Sequence, residues 1–158
     1  MNIENSSEKQ AAAAKYDVAL SFAGEDRDYV EAVARRLQAE GVRVFYDRYE
    51  EVDLWGKDLY QHLSEVYQNQ ARFTVIFVSK HYAAKLWTRH ELKTAQARAF
   101  RENEEYILPA RFDATDIPGI LPTVGYMDLQ QKSPDQLAAA ICKKNRSRRR
   151  QDSFATNP

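Results

Sequence analysis

The chain has 158 residues, 44% hydrophobic and 29% charged, which suits one well-cored globular domain. No apolar run approaches the ~20 residues that a membrane-crossing helix needs, and the polar N-terminal stretch does not read as a secretory signal. Acids and bases balance at 23 each, but six of the bases fall within 143–150, so an acidic body is joined to a basic end; such a body is a poor nucleic-acid groove, and no nucleic-acid partner is expected.

Residues 1–14 are polar and then alanine-rich, and read as a disordered leader. Residues 16–22 form an apolar run that leaves through Ala23-Gly24-Glu25-Asp26, the pattern of a buried strand ending in a turn. Val30, Val33, Ala34 and Leu37 follow at amphipathic helical spacing, with Asp26 or Asp28 near the start and Gly41 just past the end. A second strand is expected over 42–46. A long polar loop over 47–56 carries Asp47, Glu50, Glu51 and Asp53, and Leu59, Leu63, Val66 and Tyr67 mark a second helix.

Residues 72–79 are the most β-branched strand, followed by a short loop and a third helix from 88 to about 103. The fourth strand, 106–112, contains Pro109, a blemish because proline lacks the ladder donor. A loop over 113–123 with Pro118, Gly119 and Pro122 leads to a short fifth strand at 126–129. Ser133 or Asp135 caps a last helix through Leu137 and Ile141. Cys142, the one cysteine, excludes an internal disulfide and fits a reducing, cytoplasmic setting; a lone helical thiol is usually a small core residue. Residues 146–158 read as a basic disordered tail, the alternative being contact with anionic lipid or nucleic acid.

Strands alternating with helices predict an α/β domain over 15–145. The expectation is a flavodoxin-like three-layer sandwich with a five-stranded parallel sheet, order 2-1-3-4-5, and helices on both faces. In that order a crevice opens between the carboxyl ends of strands one and three. Phe22-Ala23-Gly24, the loop that starts at Asp47, and Leu86-Trp87-Thr88-Arg89-His90-Glu91-Leu92 all reach that end.

The last stretch has two readings. Thr88 to Glu91 spells a capping box in which Glu91 serves only the helix start. Alternatively, Glu91 and Trp87 present a carboxylate and an aromatic plate to the crevice, fit for a ribose and a flat heterocycle; for Trp87 the plainer role is packing. Other chemistries fail. The five glycines are too scattered for a phosphate loop, and His90-Glu91 lacks the histidine at 94 that a zinc protease needs. His62, His81 and His90 have no cysteine partners at metal spacing, so no metal site is expected. A phosphoacceptor receiver would need an aspartate where Ser79-Lys80 stand.

Residues 16–27, YDVALSFAGEDR, closely resemble the first box of Toll/interleukin-1 receptor (TIR) domains, above all the bacterial and plant types. Val44-Phe45-Tyr46-Asp47, with the acidic loop and Gly56, resembles the family's second strand and BB loop. Val75 to Ser79, Tyr82 and Trp87 to Leu92 resemble its third strand and the helix bearing W-x-x-x-E. Ile107-Leu108-Pro109 is similar to its fourth strand, which commonly carries a proline.

The resemblance spans about 16–142. It implies one of two functions: an enzyme that cleaves the nicotinamide–ribose bond of NAD+, or a non-catalytic adaptor that binds other TIR domains in signal transduction. Carried over by position, Glu91 is the catalytic residue of an NAD+ nucleosidase, giving ADP-ribose or a cyclic variant. Phe22, Ala23, Asp47, Trp55 and Trp87 line the pocket. NAD+ is the substrate, and no cofactor or metal is implied. The expected setting is activation by self-association in immune or anti-phage signalling. Two departures stand: Ala23 replaces an arginine usual in the plant box, and Tyr126-Met127-Asp128 stands where a late Phe-Trp pair is usual. A weaker third reading, a deoxyribosyltransferase-like enzyme, shares the sheet type and a catalytic glutamate, but the box at 21–26 speaks against it.

Overall fold

Apolar side chains on a strand point alternately to opposite faces, so a strand apolar at every position needs cover on both. The computed structural model describes residues 15–46, 71–86 and 90–156, with the backbone alone at 46, 90–92 and 152–156. Five strands are present: β1 (Tyr16–Ser21), β2 (Val44–Tyr46), β3 (Ala71–Val78), β4 (Ile107–Arg111) and β5 (Met127–Asp128). All pairings are parallel and the order is β2-β1-β3-β4-β5. The described helices are α1 (Arg27–Ala39), α2 (Lys80–Lys85), α3 (His90–Glu102) and α4 (Pro134–Thr156). Single 3-10 turns lie at Gly24–Asp26 and Glu104–Tyr106. This is the expected flavodoxin-like sandwich. The predicted helix around Leu59 to Tyr67 and the loop at 47–56 lie outside the described residues.

β3 shows why both faces are covered. Phe73, Val75 and Phe77 join Val30, Val33 and Leu37 of α1 and Leu137, Ala138 and Ile141 of α4 in one core cluster. Ile76 and Val78 join Ala99 and Phe100 of α3, with Ile117 and Ile120, in the other. Each fully buried valine, leucine, isoleucine or phenylalanine among them is worth roughly 1.5–3 kcal/mol.

α1 ends as its sequence predicts. Gly41 takes φ +81°, its N–H bonds Gln38 O at 3.0 Å, and the Val42 N–H bonds Leu37 O at 3.0 Å. This is a Schellman cap, which wants glycine at the left-handed position. At the other end Asp26 is the cap residue but makes no side-chain cap bond, because its carboxylate is used elsewhere.

Pro109 is tolerated for a local reason. The Phe112 N–H bonds Val78 O and the Leu129 N–H bonds Arg111 O, so alternate residues of β4 face β3 and β5 in turn. Pro109 therefore turns its nitrogen towards the β5 side, where the ladder reaches only Ala110 and Arg111. No donor is missed there.

Two expectations are corrected. The segment after β3, read as a loop, contains α2, capped by the Ser79 hydroxyl accepting from the Tyr82 N–H at 3.1 Å. The end from 146, read as disordered, continues α4 as helix through Thr156. The reason is local and tertiary. Ser133 and Gln136 form a capping box at 2.8 and 3.2 Å before Pro134, and no glycine or further proline interrupts 135–156. Once nucleated, a run of arginines propagates helix readily. Arg148 then reaches Glu105 O, and Arg149 reaches the Asp17 carboxylate at 2.9 Å.

Candidate active site

The sheet order reverses direction between β1 and β3, so the chain leaves these neighbours towards opposite faces and a crevice remains at their carboxyl ends. Three contacts tie its two sides together. Deepest, Ser21 Oγ and Tyr82 Oη lie 2.9 Å apart in a buried hydrogen bond. Above it the Ser79 hydroxyl donates to Asp26 Oδ2 at 2.6 Å, which explains why Asp26 does not cap α1. At the rim Lys85 Nζ meets Glu25 Oε2 at 3.3 Å, both side chains about half exposed. The Glu25 carboxyl is held below its ordinary range by its own backbone N–H first and then by Lys85, with His81 adding to the field. On the far side of α2, the Lys80 N–H bonds Asp113 at 3.0 Å.

The predicted pocket residues divide. The Phe22 ring is half-buried, packs against the α1/α4 core, and has the Arg27 guanidinium 5.5 Å above it. Ala23 is fully buried in the other cluster, and its carbonyl oxygen accepts from the Asp26 N–H at 2.9 Å. Its side chain therefore presents no surface to the crevice. Glu91 is the second residue of α3; only its backbone is described. Asp47, Trp55 and Trp87 lie outside the described residues. Sequence reading missed the rim pair Glu25–Lys85. The box at 21–26 displays the glutamate, but nothing local announces that a lysine sixty residues later crosses to it.

α3 is held from behind. Gly119 has φ +95°, and a Cβ there would lie 2.3 Å from the Ala97 carbonyl oxygen. The loop backbone thus packs directly on the helix that bears Glu91 at its first turn, with Ile117 and Ile120 buried on either side. Away from the crevice, the Cys142 thiol is pushed up by burial and by nearby Glu40, the profile of a packing residue. Among the described residues no three His, Cys, Asp or Glu side chains cluster to hold a metal. No described helix is long and apolar enough to cross a membrane.

A parallel sheet with a switch-point crevice between these two exits is the scaffold of a small-ligand α/β domain. The sequence pattern of the TIR domain family matches residues 18–142. The chain belongs to the TIR domain family. It is 63% identical over 127 residues to the 3′ cyclic ADP-D-ribose synthase AaTIR of Aquimarina amphilecti, a match covering 80% of this chain and 39% of that protein. It is 32% identical over 96 residues to the NAD(+) hydrolase TirS of Staphylococcus aureus, covering 60% of this chain and 33% of the relative. It is 33% identical over 78 residues to the NAD(+) hydrolase PdTIR of Paracoccus denitrificans, covering 49% and 25%. The chain thus spans less than half the length of each of these relatives.

Proposed function

We propose that the chain cleaves the bond between nicotinamide and ribose in NAD+, with Glu91 as the catalytic carboxylate. The observation that carries this reading is the sheet order. It brings the exit of β1, with Phe22 and Ala23, and the segment between β3 and α3 to the same end of the sheet, in a chain whose matched relatives are named for NAD+ hydrolysis or cyclic ADP-ribose synthesis.

The chemistry needs little. The C–N bond breaks with its electron pair passing to the pyridinium nitrogen, so nicotinamide leaves neutral without a general acid. The ribose carbon becomes oxocarbenium-like, as in glycoside hydrolysis. An ionised Glu91 stabilises that charge, and Trp87 stacks on a flat base. Water capturing the cation releases a proton and gives ADP-ribose; capture by a nucleophile of the same molecule gives a cyclic product. The 63% identity to a cyclic ADP-ribose synthase favours the cyclic outcome.

Purified protein incubated with NAD+ is expected to release nicotinamide, and Glu91→Ala to lose it by ~10²–10⁴ or more. Absence of turnover at every protein concentration refutes the reading.

A second reading, TIR–TIR association, is favoured by a groove of about 560 Å³ beside the part of β4 that extends beyond the short β5. Its walls are Leu108, Pro109, Tyr126, Met127 and Ile141, with Lys143 and Lys144 at the rim. The acidic 47–56 segment of a second copy matches it in charge. If assembly completes the site, specific activity climbs with protein concentration; a flat profile separates association from catalysis.

A further inference from the structure

The crevice carries three cross-ties, and they differ in kind. Ser21–Tyr82 is buried and neutral, and Ser79–Asp26 is part-buried and short. Only Glu25–Lys85 joins two opposite charges at the open rim, with side chains 49% and 52% exposed. Lys85 is the last residue of α2, one turn after His81, and both face Glu25 across the gap between the β3 and β1 exits. Gly24 makes room for this: a Cβ there would sit 3.1 Å from Lys85 Nζ. The fully buried Ala23 brings no charge to the β1 exit. Arg27, whose guanidinium lies over the Phe22 ring, is a second half-exposed cation at the β1 exit, but it pairs along its own helix with Glu31 at 3.4 Å and does not tie the two sides of the crevice together.

A dinucleotide entering this crevice brings a diphosphate with two negative charges past that rim. A carboxylate holding a half-exposed ammonium is the weak kind of ion pair that a doubly charged, multi-oxygen acceptor displaces. We propose that Lys85 is the contact for the substrate's diphosphate, and that Glu25 occupies its place in the unliganded chain. This rests on the NAD+ reading for the identity of the ligand, but it is tested by binding alone. On entry the ammonium exchanges the Glu25 carboxylate for phosphate oxygens, and the rim tie between β1 and α2 opens as the ligand seats.

The experiment titrates the full chain with ADP-ribose and, separately, with adenosine, by calorimetry or amide chemical-shift mapping. Lys85→Gln is expected to weaken ADP-ribose binding by roughly tenfold and leave adenosine unchanged. Lys85→Arg is expected to restore most of the affinity, and Glu25→Gln to tighten ADP-ribose binding by about two- to fivefold by removing the competitor. In turnover, Lys85→Gln is expected to raise KM far more than it lowers kcat. The proposal is overturned if Lys85→Gln binds ADP-ribose like the parent, if it weakens adenosine equally, or if the folded parent binds no ADP-ribose at millimolar concentration. A parent that binds ADP-ribose in a Lys85-dependent way but releases no nicotinamide from NAD+ sustains the subsite and sinks the catalytic reading instead.

Discussion

The two ends of the sheet use the same ingredients, a carboxylate and basic side chains, to opposite effect. At the amino end Asp17, the second residue of β1, has no exposed surface. It accepts from the Arg43 N–H at 2.8 Å and lies 3.4, 3.6 and 2.9 Å from the guanidinium groups of Arg43, Arg72 and Arg149. At the carboxyl end Glu25 and Lys85 form one exposed pair. The buried carboxylate with several fixed donors is a clamp, drawing together the starts of β1 and β3, the approach to β2, and the far end of α4. The exposed pair is a contact that solvent and ligands can exchange. The difference lies in burial and in the number of hydrogen bonds, not in residue type.

Function and stability are therefore expected to separate between the ends. The largest effect should come from Glu91→Ala at the carboxyl end: nicotinamide release falls by ~10²–10⁴ or more while the urea midpoint stays put. Gly119→Ala is next, because it adds a methyl against the Ala97 carbonyl at a positive φ; a loss of roughly 2–4 kcal/mol in urea denaturation is expected, with a fall in activity as α3 shifts.

Asp17→Asn tests the clamp, with an expected cost of roughly 1–3 kcal/mol and unchanged KM for NAD+. Its pH dependence has a definite sign. Burial alone would raise the Asp17 carboxyl, but the Arg43 N–H and the Arg149 and Arg43 guanidiniums together hold it below the ordinary range. The folded value thus lies under the unfolded one, so the contribution is full above about pH 4 and is lost as pH falls through the folded value. Thermal melts between pH 7 and pH 3 should show the parent losing an acid-dependent component that Asp17→Asn lacks. The smallest expected effect is Ser133→Ala, about 1 kcal/mol from the lost cap of α4, the helix that joins the two ends. A larger loss would mean that α4 anchors the clamp more strongly than its one Asp17 contact implies.

Much of this was legible in the chain itself. The i, i+3, i+4, i+7 set in α1, the glycine at its end, the β-branched run of β3 and the Ser133 cap all act within one element, where period and local hydrogen bonding decide. The family box and the W-x-x-x-E stretch likewise stand in consecutive residues, and it is the resemblance they carry that implied Glu91 as the catalytic residue, where spacing alone left a capping role open. The helical continuation through Thr156 was not legible, because a basic run has the same composition whether solvated or docked. What docks it is Asp17, 132 residues earlier.

The sequence determined the five strands, α1, α3 and the start of α4, the faces they bury and the family resemblance. Those follow from side-chain period and short-range geometry. Tertiary structure alone decided that Asp26 serves Ser79 instead of its own helix, that Pro109 turns its missing donor to an empty flank, and that Lys85 crosses to Glu25 at the crevice rim. Each of these joins residues far apart in the chain. No local rule encodes the distance between them until the sheet has formed.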